Sequence, residues 1–516
     1  MLLLPLLAPV LAFSGGQTDE QPNIFMLLTD DQDSLLGGAD RMPILRHRIA
    51  THGANFTNAF VHTPICCPSR SSYLSGRYLQ NSLTFQNGAA DGCANASWAA
   101  GPEKRSFAVH LQNAGYVTSY AGKYLNHYGL AGGANCSGPK DPSCFRVPPG
   151  WSDWHGLQGN SRYYNGTVSD NGVPSEHGDS PLDDYLPDLF FNHTFRFLEA
   201  QVRRRASAEP FAKKTPFLAV LATPSCHGPF TPSPIYAGRF SGASAPRTPN
   251  WNASQESVDA KQWLIRQQSP LDDDDAAGID LSHNMRLETL LSVDDYVGKV
   301  VDLLEGAGEL ANTFVLYTSN HGFQLGQHRL PGDKRHLYEH DIRVPFFVRG
   351  PGVPLNVSIA QPVLSIDVAP TLVHLGTGAV PDDMDGRSFL PLLVAAGGAA
   401  GADGGDAPEW RSDFLVTYYG AGSPPCGLQK CPPPASHFHE NDAYNNTFAC
   451  VRSLSAEDDS IYCEFSDDEN FVEYYDHTAD AWQLDNCAAT APPASIARYK
   501  ARLEQLRHCA GVECRS

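Results

Sequence analysis

Four largely apolar runs are the most regular feature of the hydrophobic pattern along this chain. They cover residues 24–29, 117–120, 217–222 and 314–318. The runs stay apolar over consecutive positions instead of alternating with polar ones, which is typical of strands covered on both faces. The pattern therefore predicts a sheet that is buried on both sides.

Helical periodicity occurs between these runs. An apolar stripe at helical spacing precedes the run at 314–318 and consists of Leu287, Leu290, Leu291, Val297, Val300, Val301 and Leu304. The acidic run 272–275, ahead of that stripe, is expected to be a solvated loop. Alternation of strands and helices predicts an α/β fold with a large, mostly parallel sheet flanked by helices.

Polar side chains of a chemically useful kind follow each of the four runs. In chain order they are Asp30 and Asp31, Lys123, His227, and the pair Asn320 and His321. Ligands of open α/β sheets bind beyond the carboxyl ends of the strands. The four sets are therefore expected to meet at one shared site.

The composition of the chain changes near residue 400. Residues 17–394 are expected to form the α/β domain, and the Gly- and Ala-rich stretch 395–409 has little to bury and is predicted to be a linker. Seven cysteines lie beyond it, in residues 410–516. Short strand-like and helical patterns occur there at 413–418, 471–475 and 495–507. These features predict a smaller, disulfide-rich α+β domain.

Charge narrows the range of partners. The 516 residues carry 57 acidic and 37 basic side chains, a formal net charge of −20. Nucleic acid is excluded as an expected partner, because its phosphates require a basic face. An anionic substrate would need a local cluster of positive side chains.

The amino terminus indicates entry into the secretory pathway. Residues 1–16 combine an apolar stretch with small residues at its end and are predicted to be a signal peptide, too short to span a bilayer. No later run of about 18 apolar residues occurs, so no membrane span is expected. Asn-x-Ser/Thr sequons begin at eight positions: Asn55, Asn95, Asn135, Asn165, Asn192, Asn252, Asn356 and Asn445. A lysosomal and an extracellular destination both fit.

Cys66 opens the segment CCPSRSSYLSG, residues 66–76, after the apolar Ile65, in the order Cys66-Cys67-Pro68-Ser69-Arg70. Pro68 fits the first turn of a helix and Gly76 fits its end, which would place Cys66 at a helix N-terminus that favours anions. A disulfide is the usual state of a cysteine in a secreted chain. The 13 cysteines are an odd number, however, and setting Cys66 aside leaves 12.

This segment resembles the sulfatase signature, Cys-x-Pro-Ser-Arg followed by a short apolar stretch and Gly. The resemblance implies the alkaline-phosphatase/sulfatase-like fold and oxidation of Cys66 to formylglycine by a formylglycine-generating enzyme. It also implies one calcium ion held by Asp30, Asp31, Asn320, His321 and the modified Cys66. Two acidic residues after a strand are more often a helix cap or a turn, but a second polar pair after another strand favours a shared ion.

Further roles follow from the same resemblance. A hydroxyl of the hydrated aldehyde would attack sulfur while Arg70, Lys123 and the cation stabilise the sulfate oxygens. His227, with Lys334, would protonate the departing alcohol. The second hydroxyl would then expel sulfate and restore the aldehyde.

Within the family the chain is most similar to N-acetylglucosamine-6-sulfatases, with heparan endosulfatases and algal arylsulfatases as relatives. Segments 28–33, 122–126, 263–267, 291–295 and 442–447 carry this narrower match. It implies a 6-O-sulfated glucosamine in a glycosaminoglycan-type glycan, with an arylsulfatase of broader range as an alternative.

The chain departs from the family at Asn320, where an Asp is usual, and one negative charge fewer should weaken cation binding. This keeps open a protein that binds sulfated glycans without cleaving them. A phosphoesterase of the same superfold is the other alternative, although such enzymes usually employ Ser or Thr as nucleophile and two metals.

Overall fold

A computed structural model of the chain describes residues 20–134, 136–138, 141–207, 214–397, 408–421 and 441–515. The predicted signal peptide, residues 1–16, lies outside the described residues, as does most of the predicted linker. Among the described residues, no helix combines the length and the apolar content that crossing a membrane requires.

In the ranges that the structure describes, sixteen strands form three sheets. The strands are β1 (Asn23–Thr29), β2 (Ala54–Phe56), β3 (Ala59–Phe60), β4 (Val117–Lys123), β5 (Asp153–Leu157), β6 (Thr167–Asp170), β7 (Val173–Glu176), β8 (Phe217–Ala222), β9 (Thr313–Ser319), β10 (Phe346–Arg349), β11 (Val357–Ile359), β12 (Val363–Leu364), β13 (Asp413–Tyr418), β14 (Phe448–Leu454), β15 (Asp459–Phe465) and β16 (Val472–Asp476). The largest sheet has ten strands in the order β11-β2-β10-β9-β1-β8-β4-β5-β6-β7.

The centre of this sheet is parallel. Strands β9, β1, β8, β4 and β5 run in the same direction, whereas β10, β6 and β7 pair antiparallel to their neighbours. The four apolar runs of the sequence become β1, β4, β8 and β9, which are neighbours in the sheet. The predicted α/β fold with a mostly parallel sheet is confirmed.

Helices cover both faces of the sheet and lie beside the smaller ones. They are α1 (Pro43–Leu45), α2 (Cys66–Ser75), α3 (Leu79–Ser82), α4 (Ala96–Ala100), α5 (Phe107–Asn113), α6 (Leu186–Ala206), α7 (Gln255–Asp259), α8 (Trp263–Arg266), α9 (Asp273–Gly306), α10 (Glu339–Ile342), α11 (Ser365–Thr377), α12 (Leu390–Ala396) and α13 (Pro493–His508).

Strand β1 explains why its sequence is continuously apolar. Ile24, Met26 and Leu28 pack into one hydrophobic cluster, and Phe25 and Leu27 pack into another. Alternate side chains of a strand point to opposite faces, so both faces of β1 are buried.

The long helix α9 carries the apolar stripe predicted from the sequence. The expectation of a solvated loop at 272–275 is wrong, because these residues begin the helix. The Asp272 side chain accepts from the backbone N–H of Asp275, and the Asp275 side chain accepts from the N–H of Asp272. Carboxylates also stabilise the positive end of a helix dipole, which is the physical reason for the run.

The carboxyl-terminal part of the chain forms its own antiparallel sheet, β13-β14-β15-β16, which packs against α13. Its buried apolar residues belong to the same hydrophobic cluster as one face of the large sheet. The smaller α+β unit predicted from the sequence is therefore present, and it rests directly on the large α/β unit.

Four disulfides are formed among the described residues. They join Cys67 to Cys93, Cys136 to Cys144, Cys450 to Cys463, and Cys509 to Cys514. Within the described part of the chain, Cys66, Cys226 and Cys487 are free thiols. The odd number of cysteines therefore does not by itself single out Cys66.

A buried ion pair connects the two units. Arg452 of β14 donates through Nε to Glu339 of α10 at 2.9 Å, and both side chains are almost fully buried. Burial alone would raise the pKa of Glu339, but the nearby positive side chains, chiefly Arg452, together outweigh it and lower the pKa to about 2.

We expect Arg452→Ala to lower the free energy of unfolding by about 3–5 kcal/mol, because it leaves a buried carboxylate without its main partner. Urea unfolding with the disulfides intact measures the change, with Arg452→Lys as the charge-conserving control. A lowered carboxyl pKa stabilises the fold above the unfolded value of about 4.3, so the effect should shrink as the pH falls towards 2. A change below about 1 kcal/mol at pH 7 would contradict this role.

Candidate active site

The carboxyl ends of β1, β8 and β9 meet at one edge of the sheet. Thr29 pairs with Ser319, so the residues after β1 and β9 are neighbours. The loop after β8 joins them through two backbone hydrogen bonds of 2.8 Å. The N–H of Asp30 donates to the carbonyl of Ser225, and the N–H of Cys226 donates to the carbonyl of Asp30. The polar residues that follow these three strands therefore form one cluster.

Cys66 is the first residue of α2 and faces this cluster. Pro68 lies in the first turn of the helix, and Gly76 ends it in the left-handed conformation with φ of 68°. The Cys66 thiol is buried and free, with Sγ 3.4 Å from Nε2 of His321. The neighbouring Cys67 forms the disulfide instead, so a reactive group at position 66 remains available.

Two buried carboxylates each receive a lysine. Lys123, at the end of β4, places Nζ 2.6 Å from Oδ2 of Asp30. Lys334 places Nζ 2.8 Å from Oδ2 of Asp31. Burial alone would raise the pKa of both carboxyl groups, but nearby cations outweigh it and lower both values. Both groups are therefore ionised at neutral pH.

Asp30, Asp31, Cys66 and His321 could hold a cation. One potential ligand atom from each lies within 4.8 Å of the others, and all four residues are buried. Oδ1 of Asp31 has no hydrogen-bond partner among the described residues and is 3.4 Å from Nε2 of His321. Two buried carboxylates, one of which has an oxygen without a hydrogen bond among the described residues, fit a divalent cation. The residues of this cluster are therefore chemically suited to hold such an ion.

Arg70, one turn into α2, is buried beside the same carboxylates. Its Nη1 donates to the carbonyl of Lys123 at 2.8 Å, and Nη2 lies 3.4 Å from Oδ1 of Asp30. Within the described part of the chain, Nε and Nη2 have no hydrogen-bond partner. Arg70 therefore keeps donors that an anion in the site could use.

The electrostatic field of the site favours a negative charge at position 66. Burial alone would raise the pKa of the Cys66 thiol, but Lys123 and Lys334 outweigh it and hold this pKa well below the usual value. The same two lysines would stabilise any anionic nucleophile or sulfate group at this position.

His227 lines a cavity of about 330 Å³ beside the cluster, together with Asp31, Phe230, Phe323, Lys334 and Asn441. Its Nδ1 donates to the carbonyl of Gly228 at 2.7 Å, so Nε2 is the ring nitrogen that could transfer a proton. Burial lowers the pKa of His227, but the nearby carboxylates, chiefly that of Asp31, together outweigh it and raise the pKa. A protonated Nε2 at the cavity wall is suited to donate a proton.

Three residues of the site are not evident from the sequence. Ser161 donates to Oδ2 of Asp30 at 2.5 Å, and Arg286 donates to the carbonyl of Asp31 at 2.8 Å. Asn441 reaches the cavity from the carboxyl-terminal part of the chain and donates to Asp333 at 2.7 Å. None of them belongs to a motif or follows a strong apolar run, so the sequence carries no signal for them.

Comparison with known proteins identifies the family. The sequence model described as Sulfatase matches residues 22–379. A curated relative, N-acetylglucosamine-6-sulfatase of Homo sapiens, is 39% identical and is aligned over 100% of this chain and 90% of its own length. The chain belongs to the sulfatase family. It is accordingly a sulfuric ester hydrolase. The chemistry of the sulfatase family typically uses formylglycine.

Solved structures confirm the sulfatase fold. A protein in complex with its substrate D-glucosamine-2-N,6-O-disulfate matches with a TM-score of 0.67 and 22% identity, over 94% of this chain and 97% of that one. A phosphonate monoester hydrolase from Silicibacter pomeroyi gives the same TM-score at 20% identity, with 95% of each chain covered. The fold therefore does not separate sulfatases from phosphonate hydrolases, whereas the sequence comparison does.

Proposed function

We propose that this sulfatase removes the 6-O-sulfate of N-acetylglucosamine in a glycosaminoglycan-type glycan. The observation that carries the proposal is the full-length similarity to the human N-acetylglucosamine-6-sulfatase. The goat enzyme of the same name is 40% identical over 98% of this chain, which supports the same substrate class.

The reaction depends on a hydrated formylglycine made from Cys66, which supplies one hydroxyl as nucleophile and a second that allows sulfate to be released. A thiol with a lowered pKa at a helix N-terminus marks a position that can carry such an anionic nucleophile. A formylglycine-generating enzyme that acts during maturation is therefore a required partner.

Positive side chains would hold the sulfate group. Lys123 and Lys334 flank position 66, and Nε and Nη2 of Arg70 donate no hydrogen bond to any described residue. Their charges would offset the negative charge that builds up on the sulfate oxygens during transfer. They also resolve the apparent conflict between an anionic substrate and a chain with a net charge of −20.

His227 would protonate the leaving sugar oxygen. It lies at the wall of the cavity that can receive the sugar, and the carboxylate of Asp31 favours its protonated form. The bond from Nδ1 to the backbone fixes the ring so that Nε2 carries the transferable proton.

Calcium is the cation proposed for this site. Asp30, Asp31 and His321 would hold it together with the group at position 66. Bound there, the ion would supply positive charge next to the nucleophile and the sulfate oxygens. Carboxylate oxygens are ligands that calcium prefers.

A panel of monosaccharide substrates tests the proposed function. The purified, modified protein is incubated with N-acetylglucosamine 6-sulfate, its 3-sulfate isomer, 4-nitrophenyl sulfate and 4-nitrophenyl phosphate. We expect sulfate release from the 6-sulfate with the highest kcat/KM. A preference for the aryl sulfate would favour a broader arylsulfatase, phosphate release would favour a phosphoesterase, and binding without release would favour a glycan-binding protein.

Passage through the secretory pathway predicts N-linked glycans at particular sequons. Asn165, Asn192 and Asn356 are exposed, whereas Asn445 is 1% exposed and has no room for a glycan in the folded chain. Asn135 lies outside the described residues. Enzymatic deglycosylation in heavy-oxygen water followed by peptide mass spectrometry should label the three exposed positions. A glycan on Asn445 of the folded protein, or no glycan at any sequon, would contradict the prediction.

A further inference from the structure

The side-chain amide of Asn320 has a fixed orientation. Its Oδ1 accepts from the backbone N–H groups of Asp31 and His321 at 3.0 and 2.9 Å, and its Nδ2 donates to Oδ1 of Asp30 at 2.5 Å. Turning the amide over would set its NH₂ group against two N–H donors and its oxygen against a carboxylate oxygen. All three hydrogen bonds therefore determine which end of the amide faces Asp30.

This orientation withdraws Asn320 from the coordination of a cation. The only oxygen of its side chain, Oδ1, already accepts from two backbone N–H groups. The amide nitrogen, which carries hydrogens, is the end that faces the carboxylate cluster. The amide N–H also binds Oδ1 of Asp30, one of the atoms that a cation would need. A cation must therefore displace or share this hydrogen bond in order to bind Asp30.

The remaining ligands carry little negative charge. Oδ1 of Asp31 accepts no hydrogen bond from the described residues, and Nε2 of His321 is 3.4 Å from it, so these two atoms are open to a cation. Lys334 already donates to the other oxygen of Asp31, Oδ2, and Lys123 already donates to Oδ2 of Asp30. With Arg70 nearby, two carboxylates face three positive side chains before any cation enters. Calcium affinity falls as the ligand charge falls.

We infer that Asn320 is a positioning residue and that the site takes calcium weakly, so that its occupancy follows the calcium concentration of the surroundings. This rests on the proposed calcium site of the sulfatase. The dissociation constant should lie in the range of about 10⁻⁴–10⁻³ M, typical of extracellular calcium modules. The site is then filled where calcium is in the millimolar range and largely empty where it is micromolar.

Calcium titration of the full chain by isothermal calorimetry tests the inference. Asn320→Asp removes the competing N–H and adds a negative charge, so it should bind calcium at least tenfold more tightly than the unchanged protein. Asn312→Asp is the matched control, because Asn312 precedes β9 at the opposite end of the same strand. Its affinity for calcium should remain within twofold of that of the unchanged protein.

The outcomes are distinct. Weak or unmeasurable binding by the unchanged protein, together with a tighter N320D variant, supports the inference. A dissociation constant below about 10 μM for the unchanged protein, or a change of less than threefold in N320D, overturns it. Should N320D fail to fold, the unchanged protein decides alone, because its Tm should rise only above about 0.1 mM calcium.

The binding measurement is independent of turnover. It is made with matched preparations in which the chemical state of position 66 has been determined. Absence of sulfate release with the predicted calcium affinities would leave the role of Asn320 standing and reject the proposed hydrolysis. Tight calcium binding with normal sulfate release would reject the role of Asn320 and leave the proposed hydrolysis standing.

Discussion

Replacing Cys66 by Ala is expected to reduce sulfate release by at least about 10⁴-fold, the largest effect of any single change in this chain. The alanine side chain cannot become an aldehyde, so the nucleophile is lost while the lysines and Arg70 stay in place. Among the described residues Cys66 makes no disulfide and has a polar contact of 3.4 Å with His321, so the fold should tolerate the change. Initial rates of sulfate release, with the Tm as a check on folding, measure the effect.

Cys66→Ser separates the first chemical step from the second. The serine oxygen can attack sulfur and take the SO₃ group while the sugar alcohol leaves, but no second hydroxyl is present to expel sulfate, so the variant should gain the mass of one SO₃ group and stop. The control is Cys487→Ser, because Cys487 is partly exposed, has no disulfide partner within the part of the chain that the structure describes, and does not line the described cavity. It should keep the rate of the unchanged protein. Continued turnover by Cys66→Ala would exclude position 66 as the source of the nucleophile.

His227→Ala should give the second-largest effect, and its size should depend on the leaving group. Loss of a general acid lowers the rate by about 10²–10⁴-fold when the departing oxygen needs a proton. A sugar alcohol needs one, whereas 4-nitrophenolate leaves readily without it. We therefore expect a large loss of kcat/KM for N-acetylglucosamine 6-sulfate and a much smaller loss for 4-nitrophenyl sulfate.

A control keeps this test specific to the site. His508→Ala removes an exposed histidine of α13 and should alter neither rate. Equal losses on both substrates for His227→Ala would show that the residue orients the sulfate group or stabilises the site, and would contradict its role as the proton donor.

The large fold and the position of its site follow from simple features of the sequence. The apolar runs of β1, β4, β8 and β9 are long and buried on both faces, so a single physical cause shapes their pattern. Parallel strands bring their carboxyl ends to one edge, which is why polar residues distant in the chain become neighbours. The helix that starts at Cys66 is equally local, since Pro68 and Gly76 set its two ends.

Other features depend on contacts that no local pattern encodes. Ser161 and Asn441 reach the site from irregular segments. Their side chains belong to it only because of the carboxylates to which they donate hydrogen bonds there. The orientation of the Asn320 amide depends on two backbone N–H groups that the sequence does not place. The sequence does not reveal the helix start at Asp272 for a different reason, because an acidic run fits both a loop and a helix N-terminus. The catalytic roles of the site residues and the calcium ligands remain predictions.

The fold alone leaves the reaction open between sulfate and phosphonate esters, since hydrolases of both kinds share it. The chemistry at position 66 distinguishes them more sharply than the architecture does. A free cysteine at a helix N-terminus, surrounded by cationic side chains and facing two aspartates, is the arrangement from which the proposed sulfatase chemistry starts.

Mass spectrometry of the peptide that contains Cys66, prepared from protein that releases sulfate, tests this central claim most directly. Conversion of the thiol to the aldehyde lowers the mass of the peptide by about 18 Da, unlike ordinary thiol oxidation, which adds oxygen. We predict the lighter peptide, in an amount that increases with specific activity across preparations. A fully active preparation in which Cys66 is an unmodified thiol, or is joined to another cysteine, would contradict the account.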